Sequence, residues 1–187
     1  MKFNDPQHAL RWAYETTNRP IVKISSVNAM RGADRAGGVR ADGELTAYDY
    51  HAQAALILSL CARVLPDLHM AYVSVQFGRE AGGFDLLARH LAASFGTGVH
   101  SRRGIEQIIR AYCGEKTGLR EIRKTMACGM LRAASLRNGG YDVLDFLHAQ
   151  TLDILHREME RRGFIVGRNK TTRDVSMDDG TPAESPG

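Results

Sequence analysis

The sequence has few cysteines and no long apolar segment, and each absence excludes a class of protein. Cys61, Cys113 and Cys128 are odd in number and far apart, which excludes a disulfide framework and a zinc site of the CxxC type. No apolar run approaches the roughly 18 residues of a membrane-spanning helix. The N-terminal stretch contains no apolar signal-peptide core. We therefore expect a cytoplasmic protein.

Sequence motifs of the common enzyme classes are also missing. There is no HExxH pair, no glycine-rich phosphate loop and no nucleophile elbow. His148 and His156 are eight positions apart, with Asp145 and Asp153 nearby, so a metal-dependent nucleic-acid enzyme is one alternative. Isolated histidines and acids on a helix more often form a solvated face. We therefore expect no enzymatic activity, no metal and no cofactor.

The periodicity of the apolar residues predicts a mainly α-helical protein, folded as a compact helical bundle. With 43% hydrophobic and 25% charged residues, the composition is that of a globular protein. Asp5 and Pro6 cap and open a first helix that runs to about Thr16. Helices are further predicted over 47–65, 67–77, 84–95, 102–113 and 141–162, although the alternation of apolar residues in 73–77 also permits a strand.

The chain divides into three parts by composition. Residues 1–43 are predicted to form an N-terminal arm, in which 29–43 is a flexible linker rich in glycine and arginine. Residues 44–166 form the helical domain, and 167–187 are predicted to be a disordered polar tail. The glycine pair at 139–140 is expected to separate the last long helix from the segment before it.

Residues 118–138 have the pattern of a helix-turn-helix. An apolar face on a first helix is followed by small residues that permit a tight turn, and then by a second helix. Leu131 and Ala134 are predicted to continue the core on that second helix. The first helix contributes Leu119, Ile122 and Met126, and the turn consists of Ala127, Cys128 and Gly129.

Positive charge is concentrated around this segment. Between His100 and Arg137 there are nine lysines or arginines against three glutamates, an excess larger than the net +4 of the whole chain. A basic surface of this kind favours binding to double-stranded DNA; the alternatives are a solvated basic face and binding to RNA. The residues predicted to contact phosphates are Arg102, Arg103, Arg120, Arg123 and Lys124. Those predicted to contact base edges are Met130, Arg132, Ala133 and Arg137.

Several short motifs resemble region four of bacterial sigma factors, and they are similar to the phage antitermination protein Q group. They are Leu65-Pro66-Asp67-Leu68, Tyr72, Phe77-Gly78, Arg120-Glu121-Ile122 and Met126-Ala127-Cys128. The resemblance implies a sequence-specific transcription regulator that acts near a phage late promoter in the bacterial host cell and contacts RNA polymerase.

A structural or adaptor role is the third alternative. The final predicted helix carries Leu144, Leu147, Thr151, Ile154 and Leu155 on one side. This face could bind another protein or a second copy of the chain, but a single helix of this length more often completes its own core.

Overall fold

The computed structural model describes residues 2–19, 47–96 and 101–165. The predicted linker at 29–43 and the predicted tail at 167–187 lie outside these residues. Seven α-helices are present in the described ranges, together with a short 3-10 turn at Ala81–Gly83. They are α1 (Pro6–Asn18), α2 (Ala47–Val64), α3 (Asp67–Gln76), α4 (Phe84–Phe95), α5 (Arg102–Tyr112), α6 (Leu119–Met126) and α7 (Met130–Arg161).

The prediction of a mainly helical bundle is confirmed. Within the described ranges there is no β-strand, only an isolated parallel bridge between Phe3 and Ile165. The segment after Pro66 is helical and not extended. Local signals place the first helix: the side chain of Asp5 accepts a hydrogen bond from the amide of His8 at 2.7 Å, and Pro6 occupies the first helical position.

Helix α7 is the central element of the fold. Its 32 residues span about 48 Å at 1.5 Å per residue. It packs against each of the other six helices, and its buried residues form a continuous stripe that faces them. The stripe consists of Ala133, Gly140, Leu144, Leu147, Thr151, Leu155 and Met159. The apolar face predicted for the final helix is therefore largely covered by the chain's own core, although Ile154 is only half-buried.

The predicted separation of two helices at residues 139–140 is wrong, because α7 continues through both glycines. The reason is a close approach between helices. A Cβ atom on Gly140 would lie 2.8 Å from Cγ2 of Ile108 and 3.3 Å from Cζ of Phe95. Because Gly140 has no side chain, α7 can cross α4 and α5 at close distance.

The described residues include no helix that combines the length and the apolar character needed to cross a lipid bilayer.

Candidate nucleic-acid interface

The predicted helix-turn-helix break is present at the expected place. Helix α6 ends at Met126, and α7 begins at Met130. Ala127 has left-handed backbone angles (φ 48°, ψ 44°). Its amide donates to the carbonyl of Lys124, and the amide of Cys128 donates to the carbonyl of Arg123, both at 3.3 Å. These two bonds close the C-terminal end of α6 and turn the chain sharply.

Helix α5 packs against both α6 and α7, so that the three helices form one unit. Ser101 links α5 to α6. Its Oγ accepts a hydrogen bond from the amide of Gly104 at 3.1 Å and donates one to the carbonyl of Thr125 at 2.9 Å. The contact is close, because a Cβ atom on Gly104 would lie 2.6 Å from Sδ of Met126. Ile122 of α6 and Ala133 of α7 are fully buried in the shared core. The turn is therefore held by packing on both sides.

The start of α7 buries a different face from the one that the sequence predicts. Leu131, predicted to continue the core, is 88% exposed, and Ala133 is fully buried. The prediction that Ala133 contacts base edges is therefore wrong, because its side chain is fully buried in the core. The difference follows from the buried stripe of α7, in which Ala133 lies seven residues before Gly140 and therefore on the same side of the helix.

Of the other three residues predicted to contact bases, two are exposed and one is half-buried. Met130 and Arg132 are exposed. Arg137 is half-buried: its guanidinium lies 5.9 Å from the ring centroid of Tyr141 and donates to the side-chain oxygen of Asn138. Arg137 therefore flanks the outward surface of α7, and it is not buried in the core.

The outward surface includes residues that the sequence prediction did not select. Leu131, Ser135 and Asn138 are all exposed and lie at positions i, i+4 and i+7, on one face of α7. Asparagine is a good ligand for adenine, and an apolar side chain can contact a thymine methyl group. The helical period could have identified this face from the sequence, had Ala133 been assigned to the core.

Most of the predicted phosphate-contacting residues are exposed and without a carboxylate partner. Arg103, Arg120, Arg123 and Lys124 are exposed and form no ion pair with any described residue.

Arg102 differs, because its guanidinium lies 2.9 Å from Asp85 and 3.1 Å from Glu106. It is still exposed, but two carboxylates already neutralise its charge. We therefore expect it to contribute less to an interaction with phosphate than its neighbour Arg103.

The opposite end of α7 shows a different arrangement of charge. Arg157 pairs with Asp153, and both Arg161 and Arg162 pair with Glu158, at 2.6 and 2.8 Å. The arginines at that end therefore have acidic partners, whereas Arg120, Arg123 and Arg132 have none among the described residues. The positive charge of Arg120, Arg123 and Lys124 is therefore accessible to a polyanion.

The histidines considered for a metal site do not come together. Nδ1 of His148 is hydrogen-bonded to the hydroxyl of Tyr72 at 3.0 Å. Nε2 of His156 lies instead 3.9 Å from a carboxylate oxygen of Glu160. Among the described residues, no group of three histidine, cysteine or acidic side chains is placed to hold a metal ion.

His148 belongs instead to a polar network between α3, α5 and α7. The hydroxyl of Tyr112 donates to Asp145 at 2.7 Å, and the hydroxyl of Tyr72 is hydrogen-bonded to Nδ1 of His148 at 3.0 Å. Burial raises the pKa of both tyrosines above the ordinary range, and the hydrogen bond to Asp145 adds to the effect at Tyr112. Both hydroxyls therefore stay protonated and available as donors.

A second polar contact joins α3 to the core of α7. Thr151 is fully buried; its hydroxyl donates to the carbonyl of Leu147 at 2.6 Å and contacts Nδ1 of His69 at 2.8 Å. Because the hydroxyl proton of Thr151 is already used, Nδ1 of His69 is the donor in this contact. Burial lowers the pKa of His69, and the nearby His90 acts in the same direction. These bonds satisfy buried polar atoms and are best explained as structural.

The chain matches no model of a known protein family, and no curated protein is similar to it. Its function is therefore inferred from the geometry and charge described above.

Proposed function

We propose that this protein is a sequence-specific DNA-binding transcription regulator that places the start of α7 in the major groove of double-stranded DNA. The observation that carries the proposal is the set of exposed, unpaired cations around a three-helix unit with a tight turn. Helix-turn-helix proteins use this arrangement, in which the second helix contacts bases and the first lies across the backbone.

The exposed part of α7 has suitable dimensions and chemistry for a major groove. Residues 130–138 span about 13 Å along the helix, close to the groove width of about 12 Å. Arg132 can donate two hydrogen bonds to guanine, and Asn138 can bind adenine. Further along, Asp142 and Asp145 are exposed, and their charge would be repelled by phosphate. The groove-facing segment therefore ends near Asn138.

The cations of α6 suit a different role. Arg120, Arg123 and Lys124 precede the turn, where the first helix of such a unit crosses the DNA backbone. Contacts with phosphate supply affinity and salt dependence without sequence information. Affinity and specificity are therefore expected to depend on different residues.

Selection from a randomised duplex pool tests DNA binding, because it does not require the target sequence to be known. Repeated rounds would give a preferred sequence, and fluorescence polarisation would compare it with unselected DNA. We expect Arg132→Gln to weaken binding to the preferred site by about 1–3 kcal/mol and to affect unselected DNA less. Lys124→Gln should weaken binding to both DNAs by a similar factor.

Two results would contradict the proposal. One is a selection that yields no enriched sequence while a single-stranded RNA pool binds more tightly than the duplex pool. The other is an equal loss on both DNAs for Arg132→Gln and Lys124→Gln, which would remove Arg132 from a specificity role.

The resemblance to phage antitermination proteins supports a narrower proposal, in which the regulator acts together with bacterial RNA polymerase. Co-purification of the tagged protein with purified polymerase, with and without promoter DNA, tests it. Stable association that survives nuclease treatment is the expected result. If no stable association is found, DNA binding remains the proposed function and the polymerase is no longer part of the proposal.

A further inference from the structure

A basic cleft lies between α1 and the segment that follows α3. Its volume is about 670 Å³, within the roughly 300–1,000 Å³ of small-molecule sites. It shares no residue with the proposed DNA-binding surface. The side chains that give it polar character are Arg11, Glu15, Asn18, Arg19, Gln76 and Arg79.

The charge of the cleft is unbalanced. Arg11, Arg19 and Arg79 line it against one carboxylate, that of Glu15. None of the three guanidinium groups forms an ion pair with a described residue. Three like charges around one cavity repel one another, so a bound anion would stabilise this arrangement.

The backbone at Arg79 adds an independent observation. Arg79 has φ 55°, a left-handed conformation that costs a residue with a Cβ atom free energy relative to glycine. The turn lets the amide of Glu80 donate to the carbonyl of Ser74 at 3.1 Å. Glycine would make the same turn without strain. The presence of arginine is therefore better explained by its side chain than by the turn.

The surroundings of Arg79 enlarge the space and leave a polar group without a partner. A second cavity of about 510 Å³ adjoins the cleft through Arg79 and Cys113. Arg110 and Glu115 line it as an ion pair at 3.4 Å, so it adds space but no unbalanced charge. Burial raises the pKa of Cys113 to about 11, so its thiol adds no negative charge at neutral pH. The side-chain oxygen of Gln76 is buried without a hydrogen-bond partner among the described residues.

We propose that the basic cleft binds a small organic anion whose phosphate or carboxylate groups are held by Arg11, Arg19 and Arg79. Arginine forms paired, charge-assisted hydrogen bonds with both kinds of group. The amides of Asn18 and Gln76 are placed to bind a hydroxyl or amine of the same ligand. This inference goes beyond the proposed function and does not depend on it.

Isothermal titration calorimetry on the full chain tests the site, with inorganic phosphate, citrate and adenosine monophosphate as probes at constant ionic strength in chloride. We expect at least one probe to bind saturably with one-to-one stoichiometry and to raise the melting temperature. The probe that binds distinguishes a phosphate ligand from a carboxylate ligand.

Variants at Arg79 separate binding from folding. Arg79→Gly should weaken the binding of that probe about tenfold or more, whereas Arg79→Lys should retain more of it. Without a probe, Arg79→Gly should melt at the same temperature as the wild type or higher, because glycine relieves the left-handed backbone.

A control at Arg123, on the proposed DNA-binding surface, identifies the place of binding. Arg123→Gln should leave the affinity for the probe unchanged. The proposal is overturned if no probe binds saturably, if Arg79→Gly binds as tightly as the wild type, or if Arg123→Gln loses binding while Arg79→Gly keeps it.

Discussion

Adding a methyl group to Gly140 should leave the protein less stable than adding one to Gly139. In a helix interior, glycine to alanine is favourable by about 1 kcal/mol, and both residues lie inside α7. At Gly139 the nearest atom to a new Cβ would be Cε1 of Phe95 at 3.9 Å, an ordinary contact. Gly139→Ala should therefore stabilise the protein by up to about 1 kcal/mol.

At Gly140 the same methyl group meets a packed core. Its Cβ would lie 2.8 Å from Cγ2 of Ile108, 3.3 Å from Cζ of Phe95 and 3.5 Å from Cδ2 of Leu91. Overpacking a core costs about 1–3 kcal/mol, which offsets or exceeds the gain in helix propensity. We expect Gly140→Ala to range from neutral to about 2 kcal/mol destabilising.

Urea unfolding followed by far-UV circular dichroism measures both variants against the wild type. The predicted result is a difference of about 1–3 kcal/mol between the two alanine variants, with Gly140→Ala the less stable. If both substitutions stabilise equally, the close crossing of α7 over α4 and α5 is refuted, together with the explanation given for the unbroken helix.

Three further predictions concern stability. Ser101→Ala should lower the free energy of unfolding by about 1–2 kcal/mol, because it removes the cap of α5 and the bond to the carbonyl of Thr125. Ala127→Gly should raise the free energy of unfolding by up to about 1 kcal/mol, because Ala127 is exposed and has a left-handed backbone. Urea unfolding measures both variants. Burial lowers the pKa of His69 and of His148, so thermal unfolding should show stability lost as the pH falls below 6.5.

The sign of the pH effect follows from proton binding. Below pH 6.5 an unfolded histidine gains a proton that its buried, neutral counterpart does not, so the unfolded state is favoured. At His148, Asp145 opposes the shift and Arg11 adds to it. A His148→Gln variant should therefore lose less stability between neutral and mildly acidic pH than the wild type. Identical pH profiles would contradict this reasoning. The predictions for the other two variants fail if Ser101→Ala leaves stability unchanged or if Ala127→Gly lowers it.

Local signals in the sequence were sufficient to predict most of the helices. Asp5 and Pro6 open α1, Ser101 caps α5, and Pro66 follows the end of α2, as expected from residues that act on their own neighbours. The turn at Cys128 was also predictable, because three small residues interrupt an apolar pattern. These features depend only on residues that are a few positions apart in the sequence.

The errors in prediction have tertiary causes. Gly140 looks like a helix breaker in the sequence, but Ile108 and Phe95 give it a packing role that no local pattern reveals. The rotation of α7, with Ala133 buried and Leu131 exposed, is fixed by that same crossing. The cleft around Arg79 brings together residues from α1, from the end of α3 and from the end of α5, so sequence spacing could not have indicated it.

The salt dependence of duplex binding tests the central claim most directly. Replacing Arg120, Arg123 and Lys124 together by glutamine should make the slope of log affinity against log salt concentration shallower by about 2.7, or about 0.9 for each phosphate that is no longer neutralised. The matched control replaces the ion-paired residues Arg157, Arg161 and Arg162 by glutamine, with the same change in net charge. We predict that the control keeps the slope of the wild type. Equal slopes for the two triple variants would contradict the assignment of the DNA-binding surface to the helix-turn-helix.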